Sequence, residues 1–493
     1  LFRLPFMATP SQSATSAQND PGRESKPFRF PPGLQRNLPL YLFRRFFRPG
    51  NPILLFEHLA KTFGPVSHYK LGGSNIVFIN DPELIREILV TQASSFIKER
   101  TQNRMKILLG QGLITSEGEF HMRQRRIAAP AFHRQRIHAY AEMMVERGAA
   151  MRATWQPGQT FDMSAAMMEL TLEIVARTLF ATDVTAAIRE INDEVNVIMR
   201  LYNYLIALPR AESYLRWPIP GLIRFRKARA RLDAQVYRMI AERRASNEDR
   251  GDLLSMLMAA RDEGETPADA GRKLAAPQAG MSDRQLRDEV ITIFLAGYET
   301  VANALTWTWY LLSENPAAAE RMQREIYDAL QGRLPTLEDL PRLRYTEMVF
   351  AESMRLYPPA WAMGRQSTQI VELGSYRLPA GTYFFFSQYI LQRSEEFYPE
   401  PLRFDPERFT PEQKAVRPRF AYFPFGGGSR QCIGEAFAWM EGVLILATLA
   451  QRWSFDMVPG QTVDVQPKIT LRPKYPMMMV AKERSPNSAR LGM

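Results

Sequence analysis

The chain contains one cysteine, Cys432, set in the run Phe425-Gly426-Gly427-Gly428-Ser429-Arg430-Gln431-Cys432-Ile433-Gly434. No other feature limits the possible fold and chemistry as much. A lone sulfur cannot close an internal disulfide, and zinc ribbons, iron–sulfur clusters and CxxC redox pairs all need several thiols. A functional Cys432 therefore acts alone, as a nucleophile or as a single axial metal ligand. Three successive glycines supply a backbone that can adopt unusual φ values and approach a flat ligand, with amide N–H groups free to point at the sulfur. An inert buried cysteine needs neither that glycine run nor the nearby Arg430.

Phe425, Gly428, Arg430, Cys432 and Gly434 fall on the spacing FxxGxRxCxG, which resembles the haem-binding signature of the cytochrome P450 family. The resemblance extends from about Phe28 to Val480. It implies a mainly α fold with a minor β region, in which a long central helix crosses over the haem. It also implies haem b as cofactor, O2 as cosubstrate and the Cys432 thiolate as proximal iron ligand, with Phe425, Gly428, Arg430 and Gly434 around the cofactor.

The composition, 45% hydrophobic and 23% charged, is that of an ordinary globular protein. A length of 493 residues suggests two or three domains but also permits one large body; the resemblance implies a single haem domain over 27–493. Ahead of it, 1–26 reads as a disordered tail, since Ala8 to Lys26 offer little to bury. Leu1 to Met7 is too short for a secretory core, and Met7 is a candidate initiator. No apolar run reaches about 18 residues, so no transmembrane helix is expected. The lone thiol is compatible with a reducing cytoplasm. The formal charge of +11 suits acidic partners, but the basic residues are dispersed and form no nucleic-acid module. Leu40 to Arg48 reads as a strap packed on the body and Ile223 to Leu232 as a solvated basic face, with peripheral membrane contact the competing reading for both.

Taken in order, the chain predicts a helix over Pro52 to Phe63, a hairpin from Val66 to Asn80 turning at Gly72-Gly73, a helix capped at Asp81-Pro82 and a loop from Ser94 to Gly112. His121 and Arg125 lie one helical turn apart and share a face able to hold an anion. The resemblance assigns them, with Arg365, to the haem propionates. His133 and His138 are five apart and make no metal pair. Helices follow to Met258, then a polar linker from Glu263 to Met281.

Ser282-Asp283-Arg284-Gln285 is a capping box that opens a helix to about Ser313, roughly 48 Å long at 1.5 Å per residue. Its nearly apolar stretch Val290 to Leu295 implies burial on all sides. Beyond it stand Ala296-Gly297-Tyr298-Glu299-Thr300. On residue chemistry alone, Glu299 is a salt-bridged core carboxylate and Thr300 bonds back to a helix carbonyl. The resemblance instead implies that Ala296 and Gly297 leave room for O2 while Glu299 and Thr300 support proton delivery. Ile293, Phe294, Trp361 and Met363 are the candidate substrate contacts. Glu352 and Arg355 share a helix face and, by resemblance, form a buried ionic triad with Arg408. After the cysteine, Ile433, Phe437, Met440, Leu444 and Ala447 mark one face of a helix whose N-terminal end points at the sulfur. Tyr376 to Phe386 reads as strands split at Pro379-Ala380-Gly381, and Lys468 to Lys482 as a final hairpin.

The resemblance implies a monooxygenase that inserts one oxygen atom of O2 into a largely hydrophobic substrate, by hydroxylation or epoxidation. No flavin or iron–sulfur module is evident, so electrons come from outside, with a ferredoxin and its reductase as the expected donor docking near Arg123, Arg126, Lys414, Arg417 and Arg419. A haem-thiolate peroxygenase or dehydratase, and a non-catalytic haem sensor or ligand-binding protein, stay open. Fatty acids, terpenoids and aromatic compounds all fit as substrates.

Overall fold

The capping box forms as its sequence dictates: Gln285 N–H donates to Ser282 Oγ (3.3 Å) and Ser282 N–H returns to Gln285 Oε1 (2.8 Å). The helix it starts, Asp283–Glu314, runs through the middle of the molecule and is buried along most of its length. The computed structural model describes residues 27–37, 51–71, 73–132, 134–180, 217–246, 248–259 and 280–484. The expected tail 1–26, the strap 40–48, His133 and most of the linker lie outside the described residues.

Helices Met163–Phe180, Arg344–Leu356 and Pro220–Ser246 pack on the central helix, as does the helix Glu435–Ala450 that follows the cysteine. Trp307 anchors the middle: it is fully buried, its ring stacks 4.1 Å from that of Tyr357, and its indole N–H donates to Leu471 O at 3.1 Å. An aromatic ring so placed combines a large apolar area with a satisfied polar edge. Glu435–Ala450 is buried on every side from Met440 onward, not on one face, because helix Arg134–Thr154 closes its far side. In helix Pro220–Ser246, Phe225, Ala228 and Leu232 turn inward while Arg224, Arg226 and Lys227 are exposed, so the basic stretch is a solvated face. No helix among the described residues is long and apolar enough to cross a membrane.

The largest sheet has six strands in the spatial order Gly33–Asn37, Val66–Leu71, Ser74–Ile79, Tyr383–Phe386, Met363–Ser367 and Phe96–Lys98. The hairpin at 66–79 forms as expected, pairing Val66 with Ile79. The segment expected as a loop from Ser94 to Gly112 instead holds the strand Phe96–Lys98 and two short helices. That strand sets Lys98 directly opposite Arg365. Tyr376–Leu378 and Tyr383–Phe386 belong to different sheets. The expected final hairpin is likewise divided: Leu471–Pro473 pairs with Val465–Pro467, whereas Met478–Glu483 joins Trp453–Met457 and Thr160–Asp162. Pro473 and Pro476 lack the N–H that a continuous ladder would need.

Candidate active site

The cysteine loop and the central helix face each other across a cavity of about 360 Å³. Cys432 N–H donates to Phe425 O at 3.0 Å, closing the loop so that the sulfur opens onto this cavity. Cys432 is solvent-accessible and lines the cavity. Burial pushes its thiol pKa up, while the Gly434 N–H at the start of helix Glu435–Ala450 pulls it down. Gly428, expected at the cofactor, does not line the cavity. Its φ is +70° and a Cβ there would lie 2.0 Å from Leu89 O, so it lets the loop lie flat on the turn at 87–91.

One wall is cationic. Lys98, Arg125, Arg365 and Arg430 line the cavity together with His121. Arg125 donates to Gln431 O at 2.7 Å, and Arg430 pairs with Glu117. Burial lowers the pKa of Arg365 to about 10, with the Arg430 charge adding to it, and lowers that of Lys98 to about 7. Lys98 Nζ donates to the carbonyls of Leu113 (3.0 Å) and Ser116 (2.7 Å). His121 is buried, its Nδ1 meets Ser116 Oγ at 3.1 Å, and its Nε2 has no partner. Burial and the surrounding cations take its pKa down to about 3, so the ring is neutral. The cations outnumber the carboxylates that act on them, Glu117 and Glu99. Such a wall is complementary to a ligand carrying two negative charges.

The opposite wall comes from the central helix: Thr292, Ile293, Ala296, Gly297, Thr300, Val301 and Ala304. Thr300 Oγ1 donates to Ala296 O at 2.8 Å. Glu299 does not line the cavity. Its carboxylate is 3% exposed and accepts from Arg472 Nε (2.7 Å) and Nη2 (2.6 Å) and from Thr470 Oγ1. Successive helix residues diverge by about 100°, so the neighbouring alcohol and acid look to different sides.

Two expected substrate contacts are elsewhere. Phe294 packs in the core beside Tyr298, and Trp361 turns away to pack at a tilt against Phe56 and donate its indole N–H to Lys468 O at 2.8 Å. Ile293 and Met363 do line the cavity. Glu352 and Arg355 are fully buried and pair at 2.6 Å, and Arg408 Nε stands 3.5 Å from Glu352. Sequence reasoning missed Lys98 and Thr292 at the cavity and Arg472 behind it. Strand pairing brings in Lys98 and a distant hairpin brings in Arg472, and neither leaves a local signal.

The sequence model described as Cytochrome P450 matches residues 31–480. Cyclooctatin synthase of Streptomyces melanosporofaciens is 38% identical over 85% of this chain and 89% of its own length. Cyclooctat-9-en-7-ol 5-monooxygenase of the same organism is 39% identical over 81% of this chain and 84% of its own length. Pentalenene oxygenase of Streptomyces avermitilis is 35% identical over 84% and 89%. Among solved structures, the cytochrome P450DA heme domain superposes with a TM-score of 0.81 at 24% identity, covering 93% of this chain and 99% of that one. A retinoic-acid-bound cyanobacterial P450 gives 0.80 at 25% identity, covering 93% and 100%. Site geometry, fold and sequence agree, and the chain belongs to the cytochrome P450 family.

Proposed function

We propose that this haem-thiolate monooxygenase oxidises a cyclic, largely hydrocarbon substrate in the cytoplasm, with electrons from a ferredoxin and its reductase, and that 27–493 form one haem domain. The carrying observation is the cavity itself, which sets a single cysteine and a cationic wall against small residues of a buried helix. Relatives named for cyclooctatin, cyclooctat-9-en-7-ol and pentalenene support the substrate class.

The residues present fit haem. Cys432 offers one sulfur to the iron, the orphaned His121 Nε2 and the cations Arg125, Arg365, Arg430 and Lys98 match two propionates, and Phe425 and Gly434 border the sulfur. Metal coordination would deprotonate the thiol that burial otherwise holds neutral. When bound, haem supplies the O2 and electron-transfer chemistry. The overall balance takes a C–H bond, O2, two electrons and two protons to a C–OH group and water.

The chain's own residues do the rest. Ala296 and Gly297 keep the helix wall low where O2 must fit. Thr300 holds a hydroxyl proton at the cavity, and Glu299 stands behind it as a relay whose partner Arg472 is 24% exposed. In this reading Arg472 holds the Glu299 carboxylate in place and carries no proton itself, and a proton taken up by Glu299 from water would have to be passed round the helix to reach Thr300. On the donor-docking face, Arg126, Lys414 and Arg419 are exposed. Arg417 leaves the expected docking set, since it stacks over Tyr398 and Phe409 and donates to Arg408 O.

The test is turnover under ¹⁸O2 with ferredoxin, reductase and a cyclic hydrocarbon. One labelled atom in the product supports monooxygenation. Product with peroxide but never with O2 and electrons makes the enzyme a peroxygenase.

A further inference from the structure

Between Pro220 and Met239 the chain sets six cations, Arg224, Arg226, Lys227, Arg229, Arg231 and Arg238, against one acid, Asp233. That acid is already engaged: Asp233 Oδ1 accepts from Arg287 Nε at 2.8 Å, and Oδ2 stands 3.6 Å from Arg229 Nε. At about 100° of rotation per residue, Arg224, Lys227, Arg231 and Arg238 fall within an arc of about 60° and run about 21 Å along the helix. All four are exposed. The next carboxylate on that arc is Glu242, beyond the last of them.

The approach to the helix is apolar. Trp217 is 54% and Ile219 47% exposed. Ile223 donates its N–H to Ile219 O at 2.9 Å and follows one turn on, half-buried. A tryptophan at such exposure suits a boundary where an apolar phase meets a polar one. Exposed Ala230 and Ala234 lie between the cations, so the strip is flat and offers no neutral hydrogen-bonding side chain that would read one protein partner.

The inner side of the same helix belongs to the surroundings of the cavity. Phe225, Ala228 and Leu232 are buried in the apolar cluster that also holds the cavity-lining Leu113, Val175 and Leu253. The helix packs on the central helix, which forms the wall facing Cys432. A redox protein seated on the outward side would have the central helix between itself and the sulfur, which makes this a poor place to deliver electrons.

We propose that the outward face of Pro220–Ser246, with Trp217 and Ile219 at its leading end, rests on an anionic lipid surface. The cations meet the headgroups and the two apolar side chains enter the boundary beneath them. Solvation of this face in the free protein is what leaves it open to the bilayer. A basic residue close to an anionic leaflet strengthens binding about 5-fold, so the four of the stripe supply up to about 600-fold. Burying the exposed parts of Trp217 and Ile219 adds about 10-fold or more. The contact is peripheral, since no described helix is long and apolar enough to cross a membrane. It sets the cavity one helix away from the phase in which a hydrocarbon dissolves.

The experiment measures co-flotation of the haem-loaded protein with vesicles of phosphatidylcholine alone and of equal parts phosphatidylcholine and phosphatidylglycerol. Wild type is expected to float with the mixed vesicles, to do so less as salt rises, and to leave the neutral ones unbound. Combined Arg224→Gln, Lys227→Gln, Arg231→Gln and Arg238→Gln should weaken binding at least about 50-fold with the haem absorbance unchanged. Trp217→Ser with Ile219→Ser should weaken it about 10-fold and leave the salt dependence in place. Gln substitutions at Arg126, Lys414 and Arg419, on the donor-docking face, should have no effect. The proposal is overturned if wild type ignores the mixed vesicles or binds both kinds equally, or if the four-Gln variant floats like wild type. It is overturned too if an acidic ferredoxin, and no vesicle, is what the four-Gln variant ceases to bind. No turnover enters the test, so its outcome is independent of the monooxygenase reading.

Discussion

Replacing Arg355 by methionine removes a side chain that makes five hydrogen bonds. Arg355 is fully buried and donates to Glu352 through Nε (2.6 Å) and Nη2 (2.8 Å), to Gln392 O (2.6 Å) and Pro401 O (2.8 Å) through Nη1, and to Arg403 O (3.3 Å) through Nη2. Its guanidinium also lies 4.7 Å over the Tyr398 ring. Without it, Glu352 keeps only the Asp405 N–H (2.9 Å) and Arg408 at 3.5 Å, and three carbonyls lose a donor. Stranding one partner of a buried pair costs about 3–5 kcal/mol, and carbonyls left dry add about 1 kcal/mol each. Against a total stability of about 5–15 kcal/mol, the variant should lose a large share of its stability and unfold at much lower denaturant. Because burial already pushes the Glu352 pKa up, loss of Arg355 raises it further. The folded state then holds a proton that the unfolded state releases, so the loss deepens as pH rises above the ordinary carboxylate range and shrinks below it. Guanidinium unfolding followed by tryptophan fluorescence measures the effect. Glu352→Gln combined with Arg355→Met should recover at least about 1 kcal/mol relative to Arg355→Met alone. A single Arg355→Met variant within about 1 kcal/mol of wild type would refute the reasoning.

Three further outcomes follow from the central helix. Glu289→Gln keeps the Leu113 acceptor and removes a carboxylate whose pKa burial raises to about 7. The wild-type penalty grows between the ordinary carboxylate pKa and 7, so the variant should be more stable than wild type above pH 7, by up to about 3 kcal/mol, and equal to it near pH 4; denaturation midpoints at both pH values check this. Thr300→Val should lower the fraction of electrons recovered in product, the balance appearing as hydrogen peroxide, while Glu299→Gln should slow turnover by at least about 10²-fold if the acid relays protons; oxygen and product accounting distinguishes the two.

What could be read from the sequence was local. The capping box at Ser282 and Gln285 lies within one turn, and the cysteine loop carries its glycines, arginine and sulfur within ten residues, so helix start and candidate iron ligand both follow from neighbours. Side-chain direction was not local. Glu299 is drawn off the cavity by Arg472 and Thr470, more than 170 residues away, and nothing around Glu299 announces them. Trp361 turns out because Lys468 O lies behind it. Lys98 enters the cavity wall only because its strand pairs with that of Arg365 across a large separation in sequence. Thr292 stands in a nearly apolar run, and its lack of a back-bond to the helix is visible only in the packed structure.

The proposed chemistry rests on Cys432 as the single sulfur that would be held out to the haem iron. The most direct test is the absorption spectrum of the reduced, carbon-monoxide-bound protein, recorded for wild type and for Cys432→Ser. Thiolate ligation predicts the strongly red-shifted band from which the family takes its name in wild type, and its loss in Cys432→Ser even where haem is retained through Arg125, Arg365 and Arg430. The same band in Cys432→Ser, or its absence from folded, haem-loaded wild type, would contradict the assignment.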